Sequence, residues 1–118
     1  MRLSPSAIRK GRRRMPGRCP LALEAARQLD RRMRDFGCRG VATADAETHT
    51  LTLYWTHLND AGFALVCRER AVSLSLSVRA FLRKFDLGRY NVRRDGYPSF
   101  PELDPFLDQA ARDFSRHA

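Results

Sequence analysis

The sequence predicts an α+β fold: a small antiparallel β-meander of two to four strands packed against about three helices, with a flexible basic N-terminal tail. Three observations lead there. From Pro20 to Phe36, apolar residues recur at three- and four-residue steps. From His49 to Leu58, apolar and polar side chains alternate. Residues 1–18 carry seven basic side chains and no acid. A chain of 118 residues has room for one domain. It divides into a basic tail, 1–18, and a single α+β domain, 19–118. A hydrophobic fraction of 43% is enough for a core.

In the tail, Ser4-Pro5 suits a short helix, with Ser as cap and Pro at the first position. The segment shows no large apolar face and is expected to be mobile. The first long helix starts at Pro20 and stops at Gly37. Ala22, Ala26, Leu29, Met33 and Phe36 form its expected buried face, and Arg27, Arg31, Arg32 and Arg34 lie on its other sides. Val41 to Ala44 is a short strand, and Asp45-Ala46-Glu47 its turn.

The central strand, His49 to Leu58, places Leu51, Leu53 and Trp55 on one side and Thr50, Thr52, Tyr54 and Thr56 on the other. Asn59 to Gly62 turns the chain, and Phe63 to Cys67 returns, with Phe63, Leu65 and Cys67 on a common face. Residues 72–78 read both ways. Their alternation suits a strand, while Val78, Phe81, Leu82 and Phe85 suit a helix capped by Ser75 or Ser77 and ending near Asp86, before Gly88. Asp95-Gly96 is a turn. Ser99-Phe100-Pro101 opens a final helix, with Leu103, Leu107, Ala110 and Phe114 as its apolar stripe. The other side of that helix is acidic, with Glu102, Asp104, Asp108 and Asp113.

The net charge is +9, and residues 1–18 supply +7 of it. Arg outnumbers Lys 20 to 2. That bias fits phosphate recognition by guanidinium forks, and it equally fits a GC-rich coding sequence. No apolar run reaches the roughly 20 residues that span a bilayer. The basic N-terminus lacks the apolar stretch of a secretory signal, and an organelle transit peptide ranks behind a cytoplasmic location. Cys19, Cys38 and Cys67 are odd in number and widely spaced, which points to reduced thiols and to neither a zinc site nor a disulfide framework. His49 and His57 are too far apart along a strand to share a metal, and His57 with Cys67 or Cys38 has no supporting motif as a nucleophile–base pair. His117 falls in the last turn of the final helix, where a cation suits the dipole. No cofactor is implied and no enzyme is expected.

The segment Ser77 to Arg94, SVRAFLRKFDLGRYNVRR, has six basic residues and one acid. It resembles a helix-turn-helix of the DNA-binding kind. Phe81 and Phe85 match the motif's first apolar pair, Leu87 the residue after the turn, and Val92 the one inside the second helix. The resemblance covers under a fifth of the chain. Leu82 stands where the motif prefers a small residue, and Asp95, Gly96 and Pro98 leave the second helix very short. An amphipathic helix followed by an edge strand, Arg89 to Arg93, is the alternative.

The resemblance implies DNA contact by Arg89, Asn91, Arg93 and Arg94. Arg79, Arg83 and Lys84 complete the cluster, and Arg12, Arg13 and Arg14 add phosphate contacts from the tail. The expected function is therefore a small nucleic-acid-binding regulator or accessory protein, acting on DNA in preference to RNA. The rival expectation is a phage- or plasmid-type inhibitor or adaptor that blocks a host nucleic-acid-handling complex. It would make contact through Tyr54, Tyr90, Tyr97, Asp104 and Asp108.

Overall fold

The computed structural model describes residues 1–116, so His117 lies outside the described residues. It contains helices α1 (Pro5–Lys10) and α2 (Pro20–Asp35) and strands β1 (Gly40–Ala46), β2 (Thr50–Leu58) and β3 (Ala64–Ser73). Helices α3 (Leu76–Asp86) and α4 (Val92–Asp95), a 3-10 turn (Pro101–Leu103) and helix α5 (Asp104–Ser115) follow. The strands form one antiparallel meander in the order β1-β2-β3. The predicted α+β class and the meander are the observed ones.

Helix α2 lies against the sheet, mostly over β1, and α5 packs on α2 and touches β3. The core between them holds Leu21, Leu29, Met33, Leu51, Leu53, Trp55, Leu107 and Phe114. Strand β2 alternates as its sequence does, with Leu51, Leu53, Trp55 and His57 buried. The opposite face of the sheet has no helix over it and presents Thr43, Tyr54 and Glu69 in one row. Gly40 pairs with His57 at the start of β1, and a Cβ there would stand 2.5 Å from the Trp55 ring.

Buried Trp55 and His57 form a polar pair inside this core. The Trp55 Nε1–H donates to His57 Nδ1 at 3.0 Å, and His57 Nε2 stands 3.1 Å from the Phe114 carbonyl. These contacts fix the tautomer: Nδ1 accepts, so Nε2 carries the proton. With both ring nitrogens occupied, His57 serves neither Cys38 nor Cys67 as a base.

Several expectations are corrected. Residues 1–18 are not a loose tail. Met1, Leu3 and Ala7 are buried, and α1 is capped by Ser4 as its Ser-Pro pair suggested. The Leu3 N–H donates to the Pro98 carbonyl at 3.0 Å, and the Phe100 N–H donates to the Met1 carbonyl at 2.7 Å. Three small contacts therefore replace the large apolar face that the segment lacks.

Phe36 is 52% exposed rather than buried. It is the C-cap of α2, and left-handed Gly37 turns the chain away behind it. Strand β1 extends through Ala46, into the expected turn Asp45-Ala46-Glu47. Strand β3 runs on to Ser73, because β2 supplies pairing partners as far as Thr50. Leu65 and Cys67 do share a face, but it is the outer one, and Leu65 is 65% exposed. The helix capped by Ser75 forms as expected, as does the buried stripe of α5.

Candidate functional site

Part of the basic set singled out in the sequence, Arg12, Arg13, Arg14, Arg83, Lys84 and Arg89, comes together at the C-terminal end of α3. That helix ends in a Schellman motif: Gly88 N–H donates to the Phe85 carbonyl and Arg89 N–H to the Lys84 carbonyl. Gly88 has φ 73°, the left-handed value the motif requires. Its missing side chain also leaves room for another residue. A Cβ on Gly88 would lie 2.3 Å from Nη1 of Arg13, so the Arg13 guanidinium rests directly on this turn.

The segment carrying Arg13 is an ordered loop. Arg12 N–H donates to the Arg18 carbonyl at 2.7 Å, and Arg18 N–H donates to the Met15 carbonyl at 2.9 Å, which closes residues 12–18 on themselves. Gly11 lets that loop leave α1 tightly against α2, since a Cβ there would be 2.4 Å from the Pro20 ring. Arg14 adopts a left-handed conformation, φ 59°, and its N–H donates to the Asp86 carboxylate at 3.0 Å. Asp86 is the single acid of the basic window, and it ties the first Arg run to α3.

The start of α1 is held by Glu24. This fully buried carboxylate accepts from the Ser4 N–H at 2.9 Å, from Gln28 Nε2 at 3.1 Å and from the Arg27 guanidinium. Burial alone would raise its pKa. The bonds from Ser4, Arg27 and Gln28 outweigh that and hold it below the ordinary value.

Beyond α3, the recognition helix is not formed. Helix α4 is a single turn capped by the Asn91 side chain, and it stops at left-handed Gly96. An edge strand over Arg89 to Arg93 is absent as well. Leu87, assigned to the motif's small core, is 47% exposed. What holds this stretch is Asp95. Its carboxylate accepts from Lys84 at 2.9 Å, from the Asn91 N–H at 3.0 Å and from the Arg94 guanidinium. Those bonds, Arg94 foremost, keep its pKa well below the usual carboxylate range. Tyr90 packs edge-on against Phe81, with centroids 4.9 Å apart, and its hydroxyl donates to the Gly96 carbonyl.

The predicted contact residues therefore divide. Lys84 and Arg94 are paired with Asp95, and Asn91 is used as a cap. Arg79 bonds His49 Nδ1 at 2.9 Å. Among the described residues, Arg12, Arg13, Arg14, Arg83, Arg89 and Arg93 have no carboxylate within ion-pair distance of their guanidinium groups. Arg12 and Arg13 share a surface hollow of about 600 Å³ with Met15, Phe85, Gly88 and Tyr90.

The residues of the rival interface are spread over three regions. Tyr54 stands on the open sheet face, where desolvation and the nearby Asp45 and Glu69 push its hydroxyl pKa up. Tyr90 and Tyr97 flank α4. Asp104 answers the Met1 amino group at 2.7 Å, and Asp108 answers Arg32 at 2.7 Å. The acidic side of α5 is thus partly spent on cations of the same chain.

Sequence reasoning missed the organising roles of Asp86, Asp95 and Glu24. Each is an acid inside a basic or amphipathic stretch, and its partner lies elsewhere in the chain or across a turn. Among the described residues no cluster of three or more metal-ligating side chains occurs, and no helix is long and apolar enough to cross a membrane. Set against protein-family models, curated proteins and solved structures, the chain matches none.

Proposed function

We propose that this protein binds nucleic acid, through phosphate contacts made by a guanidinium surface at the C-terminal end of α3. One observation carries the reading. The Arg13 guanidinium sits on Gly88 and the Arg14 amide bonds Asp86, so two Arg-rich stretches far apart in sequence become neighbours. Arg12, Arg13, Arg14, Arg83 and Arg89 then stand around one helix end without carboxylate partners. The α3 terminus itself bears partial negative charge, which helps hold cations there before any ligand arrives. An anionic polymer supplies the acceptors these groups lack, and guanidinium forks match phosphate oxygens.

Base reading is a minor part of this proposal. A one-turn α4 is too short to lie in a major groove, and Asn91 is occupied as its cap. Phosphate contacts position a protein on the backbone and carry no sequence information, so weak sequence preference is expected.

The test is fluorescence anisotropy with a labelled duplex DNA, repeated with the matching single-stranded DNA and RNA. The expected result is binding at low salt that falls by orders of magnitude as salt rises, because condensed counterions are released on association. No binding to any of the three at the lowest salt overturns the proposal.

A further inference from the structure

We propose that the cleft between α3, the 14–19 segment and the β1–β2 turn is a binding site for a small amphiphilic anion. The ligand class is an apolar body carrying one carboxylate, sulfonate or phosphate. The cleft shares Arg14 and Arg83 with the surface proposed above, but the case for it does not rest on that reading.

The cleft encloses about 780 Å³. Small-molecule sites commonly occupy ~300–1,000 Å³, with mostly apolar linings and a few placed polar groups. Buried Cys19 and Leu82 are among its lining residues. Leu76, Leu87 and Met15 also line it, and they are 76%, 47% and 43% exposed. Large apolar side chains gathered around one opening offer a contact surface that the chain itself leaves uncovered.

The polar part of the lining is cationic in balance. Arg14, Arg79 and Arg83 face two acids, Glu47 and Asp86, and Asp86 already accepts the Arg14 amide. Arg79 is the key group. Its Nη1 donates to His49 Nδ1, while its Nε is buried with no partner. Among the described residues it is the one buried side-chain nitrogen or oxygen so left. Nε is closed off from the cleft, so a ligand would meet Arg79 at the other N–H groups of its guanidinium. That guanidinium has no carboxylate within ion-pair distance among the described residues, and an anionic oxygen there would accept a charge-assisted bond. The head group would lie at Arg79, within reach of the rim guanidiniums, and the apolar body would cover Leu76, Leu82 and Leu87.

The experiment uses anilinonaphthalene sulfonate as the probe, titrated into the whole protein and followed by fluorescence and by amide NMR shifts. Uncharged N-phenylnaphthylamine is the control. The expected result is saturable one-site binding, with shifts confined to residues 14–16, 46–49 and 76–87. The uncharged control and the Arg79→Gln variant should each bind about tenfold more weakly or worse, a loss equivalent to ~1.4 kcal/mol.

Because Arg79 is partly buried, Leu76→Asp provides a second variant at an exposed position. It should fold as the parent does and lose the probe. Non-saturable uptake, equal binding of the uncharged control, shifts centred elsewhere, or undiminished binding by a folded Leu76→Asp protein would each overturn the proposal.

Discussion

The Asp86 carboxylate accepts the Arg14 backbone N–H at 3.0 Å across 72 residues of sequence. This bond joins the first Arg run to the helix that carries the second. Removing it should release the loop while the core stays intact. In Asp86→Ala the amide of Arg14 should lose hydrogen-exchange protection by about tenfold, as for the loss of one charge-assisted hydrogen bond near the surface. Amides of β2 should keep theirs. Hydrogen exchange followed by NMR checks both halves of the statement.

Glu24 makes residues 1–10 sensitive to acid. Its folded pKa lies below the ordinary 4.5. The stabilisation it gives is therefore present above that value and is lost as pH falls through the folded pKa. Glu24→Gln should cost about 2 kcal/mol at neutral pH, from weakened bonds to Ser4, Arg27 and Gln28. The gap between the two proteins should narrow steadily below pH 4.5. Urea denaturation at a series of pH values measures it, and a gap independent of pH would refute the assignment.

Gly88 tests the turn that receives Arg13. An Ala there must hold φ near 73°, and its Cβ meets the Arg13 guanidinium. The backbone penalty is about 1 kcal/mol, which lowers Tm by about 4 °C in a domain of this size. Arg13, at the end of a flexible side chain, should swing away, so nucleic-acid affinity should fall together with Tm. Thermal melts and anisotropy on the same variant provide the comparison.

Trp55 is the sole tryptophan, so its indole N–H is unambiguous in a spectrum. It should exchange slowly, because it is buried and bonded to His57. Trp55→Phe leaves His57 Nδ1 without a donor and should destabilise the fold by about 1–3 kcal/mol beyond the loss of packing. Denaturant unfolding checks the size.

Much of the fold was legible because its elements carry local punctuation. Pro20 and Gly37 bracket α2, the Thr and Leu alternation marks β2, and Ser75 caps α3. The extra length of β3 was hidden because Arg68 and Arg70 occupy positions whose alternation would otherwise read as apolar. The docking of residues 1–18 was hidden for a different reason. Met1, Leu3 and Ala7 are few, and the hydrogen bonds that fix them come from Pro98, Phe100 and Glu24, none of which a local reading can supply.

The site shows the same division. Composition pointed to Arg83, Arg89 and Arg93, but the fate of Lys84, Asn91 and Arg94 depends on Asp95. The second helix of the motif failed because Asn91 and Gly96 bound it to a single turn.

The most direct test of the account is the salt dependence of duplex binding, compared among three proteins: the parent, Arg12/Arg13/Arg14→Gln and Arg83/Arg89→Gln. Each phosphate contact contributes about 0.9 to the slope of log K against log salt. The account predicts that both variants flatten the slope, by about two to three units for the first and about two for the second. It also predicts that combining them adds the two effects. An unchanged slope in either variant would show that the two Arg groups do not form one binding surface.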